Sequence, residues 1–399
     1  MADLLLPGSY RVDGILDDDA LVGAMLTVEL AWVRALAATG GASAEDVLAT
    51  EQAVAGFVPT LDPVAVEGAG NPVLPLVTAL RTAIADTDIA SRVHTGLTSH
   101  DVLDTALVLL ARAAAEQTLG ALDRVADALT RLAGEHRGSV MAGRTLTQYA
   151  VPVTFGLTAA QWLIGILDAR GALADATGDL PVQCGGAAGT LSRAADLVDD
   201  PLATAAAFAA GLGLVAPTLP WHTRRTPVTR LADALVQTCD ALGVLADDVL
   251  LLGRPEVGEV GEGAAAGRGG SSTMPHKQNP VLSVLVSSAA QRAPLLGAQL
   301  HLSAARAVDQ RPDGAWHAEW SALRTLLGVT AVAADQAAEL TEHLDVHPDH
   351  MRRRAESVAD QLLAERGDTH DRDLTAYLGV SSRLVERALL RHREVRDDG

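Results

Sequence analysis

The feature that most limits what this chain can become is a set of apolar residues recurring at helical spacing over very long stretches. From Ser99 to about residue 135, Val102, Ala106, Leu110, Ala113, Leu122, Val125 and Leu129 keep close to the period of a helix rather than that of a strand. Thr98-Ser99-His100-Asp101 opens this run with an acceptor side chain and, three residues on, a carboxylate, which is the spacing of a capping box. A second helix is expected after Pro152, ending at Gly178. A third carries Leu231, Leu235, Leu242, Leu245, Val249 and Leu252 and stops at Gly253-Arg254-Pro255. A fourth is expected to start with Asn279 as N-cap and Pro280 in the first turn, and to run past Leu300 with a kink at Pro294. A fifth covers about 316–344. Helices this long and apolar usually bury more than one face, so the expectation is an all-α fold built on a long bundle that oligomerises.

Composition supports the helical reading. Apolar residues make up 48% of the chain but aromatics only 3%, and alanine and leucine form helices more readily than sheets. A length of 399 residues is more than one core usually serves, so two or three subdomains are expected. The formal charge of −19 argues against nonspecific nucleic-acid binding, which needs a basic face. It leaves an anionic substrate open, because a local cluster can invert the field. Two cysteines, Cys184 and Cys239, imply no disulfide framework and are compatible with a reducing compartment. Met1–Pro7 lacks the basic and apolar regions of a signal peptide, and no apolar stretch reads as a membrane span. A soluble, cytoplasmic protein is therefore expected, with no membrane partner.

One lysine, Lys277, stands among 31 Lys+Arg residues. Where arginine is so heavily favoured, a surviving lysine points to a site that needs a compact, rotatable ammonium rather than a planar fork. Lys277 lies in Gly269-Gly270-Ser271-Ser272-Thr273-Met274-Pro275-His276-Lys277-Gln278-Asn279-Pro280. This is not a phosphate loop, because no Gly-Lys-Ser/Thr occurs. It offers a serine pair, an ammonium and an amide beside a helix N-terminus, a set suited to a carboxylate or its enolate-like form. The preceding Gly258–Gly270 stretch is too glycine-rich to pack and reads as a mobile lid, or else as a plain linker. His343, His347 and His350, with Asp345 and Asp349, have a metal-like composition, but Pro348 disrupts a shared helical face and no metal is expected there.

The Gly269–Pro280 segment resembles the signature of the fumarase/aspartase superfamily, lyases that add or remove a group β to a carboxylate. Two further blocks, Val93–Thr105 and Gly143-Arg144-Thr145-Leu146-Thr147-Gln148, resemble its other motifs at the expected distances. Within the superfamily, Ala69–Val77, Leu180–Leu191, Pro220–Arg225 and Gly314–Trp320 look most like the 3-carboxy-cis,cis-muconate cycloisomerases. Many relatives carry histidine where this chain has Leu146, and adenylosuccinate lyases carry another near Asn71-Pro72; both are missing here. The resemblance implies three consecutive parts: an N-terminal helical domain 1–98, a central bundle 99–345 and a shortened C-terminal domain 346–399, with Arg366–His370 marking a deletion. It also implies a homotetramer with shared sites, a small polycarboxylate substrate and no cofactor.

Carried over by resemblance, Ser271 exchanges a proton with carbon, Lys277 supports the chemistry and His94 is the auxiliary acid or base. Lys277 and Asn279 hold the carboxylate whose α-carbon becomes carbanionic, and Thr98 and Ser99 form a second carboxylate-binding pair. Arg144, Thr145 and Gln148 complete the anion pocket, and Ser272 and Met274 join the substrate-binding set. Asp309-Gln310-Arg311 departs from the His-Glu-Arg-like pattern of relatives, replacing a supporting carboxylate by an amide. The implied reaction is lactonising addition of a carboxylate across a double bond, as in protocatechuate breakdown. The alternatives are another β-elimination lyase acting on a substituted succinate, and a non-catalytic helical scaffold.

Overall fold

In the computed structural model, residues 4–263, 267–274, 276–367 and 372–397 are described. Helix covers 66% of the chain, and the fold is all-α with little strand. The five long helices are Ser99–Glu135, Phe155–Gly178, Thr226–Leu252, Val281–Ala304 and Gly314–Glu342. Each apolar stripe read from the sequence is a buried face: Val102, Ala106, Leu122, Val125 and Leu129 in the first, Leu231, Leu235, Leu242 and Leu245 in the third. Val281–Ala304 continues as helix through Pro294.

The chain divides into two compact units, each assembled from three stretches of sequence. One comprises Met1–Glu116, Ala174–Ala234 and Leu295–Gly328, and the other Gln117–Leu173, Leu235–Pro294 and Val329–Gly399. All five long helices contribute a segment to each unit, so the parts 1–98, 99–345 and 346–399 follow chain order whereas these units follow packing.

In the first unit, the helix Asp18–Ala38 starts at Asp17, whose carboxylate accepts from Ala20 N at 2.8 Å and Gly14 N at 2.7 Å. It packs against Ala44–Val54 and Pro201–Leu212, burying Met25, Trp32 and Leu36, with the Trp32 and Phe208 rings edge-to-face at 5.5 Å. By length and composition alone, two helices among the described residues, Asp18–Ala38 and Val281–Ala304, are long and apolar enough to cross a membrane. The first has most of its apolar window inside its own unit, as a core helix does.

The second unit holds an element absent from the sequence expectation, an antiparallel hairpin of Val140–Thr145 and Gln148–Thr154. Val140 and Ala142 pack with Ala355, Leu362, Leu363 and Leu374 of the C-terminal helices. A second small pair joins Val260–Glu262 to Leu344–Val346, anchoring one end of the glycine-rich loop. Of that loop, residues 264–266 lie outside the described residues, as do Pro275 and residues 368–370 of the Arg366–His370 segment.

Candidate active site

In the first unit the site residues gather at the start of Ser99–Glu135. Asp101 is wholly buried and accepts from Thr98 N at 3.0 Å, Gly185 N at 3.0 Å, Gly186 N at 2.9 Å and His222 Nε2 at 2.8 Å. One carboxylate thus closes the expected cap and also ties in the Gln183–Gly186 and Trp221–His222 segments. Burial raises its pKa above the ordinary carboxylate value, opposed by the hydrogen bond and charge of His222. The Thr98 hydroxyl accepts from Arg311 NH1 at 2.5 Å, while Ser99 stands half-buried at the first helical position.

One turn further on, Arg225 lies between Asp104 and Glu319. It donates to Asp104 Oδ2 at 2.7 Å and Glu319 Oε2 at 2.6 Å, and Trp316 Nε1 donates to Asp104 Oδ1 at 2.8 Å. All three charged side chains are almost fully buried. Burial raises the pKa of Glu319 despite the arginine, whereas Asp104 is lowered because its bonds to Arg225 and Trp316 outweigh burial. The stretches Pro220–Arg225 and Gly314–Trp320 are the framework of this helix start. His100 stacks on Trp316 with ring centroids 3.5 Å apart and is edge-on to His222. Burial pulls its pKa down to about 4, so it is neutral near pH 7.

His94 precedes the same helix in the left-handed region, at φ 64, with Nδ1 2.7 Å from Glu29 Oε1. Burial alone disfavours the imidazolium, but the hydrogen bond and charge of Glu29 raise the pKa above the ordinary histidine value.

In the second unit, Ser271, Ser272, Met274, Lys277 and Asn279 follow one another on the loop into Val281–Ala304. Ser271 Oγ accepts from Met274 N at 3.2 Å, and Lys277 N donates to Met274 O at 2.9 Å. Lys277 is exposed, and its ammonium has no hydrogen bond or ion pair among the described residues. Asn279 does not cap the helix through its side chain, as the sequence suggested. Its Nδ2 donates instead to Gly269 O at 2.9 Å, and its backbone N donates to the same oxygen at 2.8 Å. Gly269 sits at φ 73, where an added Cβ would lie 2.6 Å from Asn279 O, so only glycine fits. The first turn is capped by Glu262, whose carboxylate accepts from Leu282 N at 3.0 Å and Ser283 N at 3.1 Å. A full charge from a neighbouring strand suits the positive end of the helix dipole better than the amide of Asn279.

Arg144 is engaged rather than open. It donates to Glu259 Oε1 at 2.7 Å and Oε2 at 3.0 Å, and Glu259 is fully buried. Thr145 and Gln148 are paired at the exposed hairpin tip, around Leu146 at φ 49 and Thr147 at φ 68. His343 and His347 hydrogen-bond backbone carbonyls through Nδ1. The structure thus places His94, Thr98 and Ser99 in one unit and Arg144, Thr145, Gln148, Ser271, Ser272, Met274, Lys277 and Asn279 in the other. Sequence reading missed Glu29, Arg311, Glu259 and Glu262 as supporting groups. Two of them left a signal: Glu29 is a carboxylate in the apolar middle of its helix, and Arg311 lies in the Asp309-Gln310-Arg311 stretch compared with relatives.

A family model described as lyase matches residues 13–295. This chain belongs to the fumarase/aspartase superfamily. It is 44% identical over 371 residues to a nitrosuccinate lyase of Streptomyces davaonensis, covering 89% of this chain and 77% of that one. It is 41% identical over 356 residues to a 3-carboxy-cis,cis-muconate cycloisomerase of Pseudomonas aeruginosa, covering 88% and 77%. Among solved structures, the 3-carboxy-cis,cis-muconate lactonizing enzyme of Pseudomonas putida superposes with a TM-score of 0.86 at 31% identity, covering 97% of each chain. The fumarate lyase of Mesorhizobium sp. BNC1 gives 0.82 at 26% identity, covering 95% of this chain and 97% of that one. The protein is an enzyme of this superfamily.

Proposed function

We propose that this enzyme makes or breaks a bond β to a carboxylate by stabilising the aci form of that carboxylate, and that its substrate is a small polycarboxylate. The observation that carries this reading is Lys277, an ammonium with no partner among the described residues, six positions after Ser271 on an exposed loop of a strongly acidic chain. An unpaired compact cation with neighbouring amide and hydroxyl groups is suited to charge that develops during reaction. Lys277 and Asn279 then hold the reacting carboxylate, and Thr98 and Ser99, with Arg311 beside them, hold another. Ser271 exchanges the proton at carbon, and His94 acts as the auxiliary proton donor that resupplies it. The two sets are contributed to shared sites by different subunits of a cytoplasmic homotetramer.

The first reading of the reaction is cycloisomerisation of 3-carboxy-cis,cis-muconate. A carboxylate oxygen bonds to an alkene carbon, the π electrons move toward the neighbouring carbon as its carboxylate takes the aci form, and a proton is delivered to that carbon. Several relatives and two solved structures bearing that name support it. The second reading, favoured by the 44% identity to a nitrosuccinate lyase, runs the chemistry as elimination. Ser271 removes the proton α to one carboxylate, the carbon–nitrogen bond breaks, and nitrite leaves a butenedioate.

Both readings are tested by incubating the purified protein with each substrate, following loss of diene absorbance or release of nitrite. Ser271→Ala should abolish whichever signal appears. A folded protein inactive on both would remove these two substrates, and activity that survives Ser271→Ala would remove the assigned role.

A further inference from the structure

We propose that Glu29 and His94 form a dyad in which the buried Glu29 carboxylate holds the imidazole as a proton donor for the cycloisomerisation, making Glu29 a positioning residue; this rests on the cycloisomerisation reading above. Glu29 lies in the apolar helix Asp18–Ala38 and is 0% exposed. A buried carboxylate is costly unless paired. Its Oε1 is 2.7 Å from His94 Nδ1, and its Oε2 has no partner among the described residues. A surface-facing role for Glu29 is thereby excluded, and among the described residues His94 is its hydrogen-bond partner.

His94 is held to this partner by its surroundings. A non-glycine residue at φ 64 is strained and persists only where neighbours fix it. Arg81 donates to Val93 O at 2.7 Å on one side, and Trp32 Nε1 donates to Thr95 O at 2.7 Å on the other. With Nδ1 on Glu29, the tautomer is set and Nε2 is the ring atom left to act, on a side chain that remains 21% exposed. The charged groups facing the ring are Glu29 from Asp18–Ala38, Arg81 from Val73–Ala83 and Asp101 from Ser99–Glu135. The two carboxylates favour the imidazolium and Arg81 opposes it, with Glu29 the nearest and strongest.

The test is an imidazole nitrogen titration by NMR on the full-length protein and its E29Q variant, the His94 signal being assigned by its loss in H94N. Alongside it, kcat/KM is measured against pH on 3-carboxy-cis,cis-muconate, whose conversion takes up a proton at carbon. In E29Q, His94 should titrate at lower pH, and the alkaline limb of kcat/KM should move to lower pH in step. E29D should restore the wild-type limb. H94N should lose about a hundredfold with no such limb, and serves if E29Q does not fold. An unmoved His94 titration in folded E29Q overturns the pairing. A titration that moves without the kinetic limb overturns the donor role. Inactivity of the wild type on 3-carboxy-cis,cis-muconate removes the cycloisomerisation reading and the donor role with it, while the titration still decides the pairing.

Discussion

The starts of two helices in this enzyme are built on opposite plans. At Ser99–Glu135, Asp101 and Asp104 are buried among His222, Arg225, Glu319 and two backbone N–H groups from a distant loop. At Val281–Ala304, the Glu262 carboxylate caps the first turn, and Ser272, Met274 and Lys277 before it stand exposed, Lys277 unpaired among the described residues. The first is rigid because each buried charge depends on partners from several segments. The second leaves its charge unpaired among the described residues, as the proposed carboxylate-binding role requires. Stability and chemistry should therefore respond to substitution at different ends of this comparison.

The largest effect is expected at the buried triad. Arg225→Ala leaves Asp104 and Glu319 buried without their shared cation, and should destabilise the fold by about 3–5 kcal/mol. Urea unfolding measures it. A loss under about 1 kcal/mol would mean that the triad behaves like a surface pair and would erase the contrast. Lys277→Arg is the opposite case. It should lower kcat/KM roughly 100- to 1,000-fold, since an ammonium aimed at developing charge is replaced by a fork of different reach. Its unfolding midpoint should stay unchanged. Activity retained in Lys277→Arg would leave the lone lysine without a role.

How much of this was legible beforehand follows the same division. The long helices were legible because their apolar residues repeat over many turns, and the Ser271–Asn279 loop because its residue types are unusual together. The hairpin Val140–Thr154 was not legible: its first strand is buried at four successive positions, so it lacks the alternation that marks a half-exposed strand. Asp101 read as a local cap, which it is, but three of its four partners lie more than 80 positions away. Glu262 gave no sign of capping a helix about twenty residues later. Sequence reports local periodicity well, and reports poorly which distant group will satisfy a buried charge.

Two histidines six positions apart sharpen the comparison through pH. His100, held near pKa 4 by burial, binds no proton in the folded state until well below its ordinary value of 6.5. The unfolded chain takes up that proton first, so this contribution to stability is complete above about pH 6.5 and is lost as pH falls toward 4, on the order of 2 kcal/mol. His94 has the opposite sign: its raised pKa gives stability that is complete below the ordinary histidine value and is lost as pH rises through the folded-state value. His100→Asn should flatten the acid side of the stability profile and leave the alkaline side alone. An acid side as steep as in the wild type would assign the lability to other groups.

The smallest effect is expected at the hairpin tip, which belongs with the exposed plan. Leu146 at φ 49 and Thr147 at φ 68 fill a two-residue turn in a conformation that favours Asn-Gly, and Leu146 is 95% exposed. Neither side chain gains burial in return for the strain, which is of order 1–3 kcal/mol per residue in such regions. Replacing the pair by Asn-Gly should raise stability by about 1 kcal/mol, part of the relief being offset by the greater freedom of glycine in the unfolded chain. If the strain serves to aim Thr145 and Gln148, the exchange should also reduce kcat/KM, since the two residues flank the turn and are paired across it. A more stable protein with unchanged kcat/KM would show that the turn's strain has no part in aiming these two residues, and would withdraw Thr145 and Gln148 from the substrate-binding set.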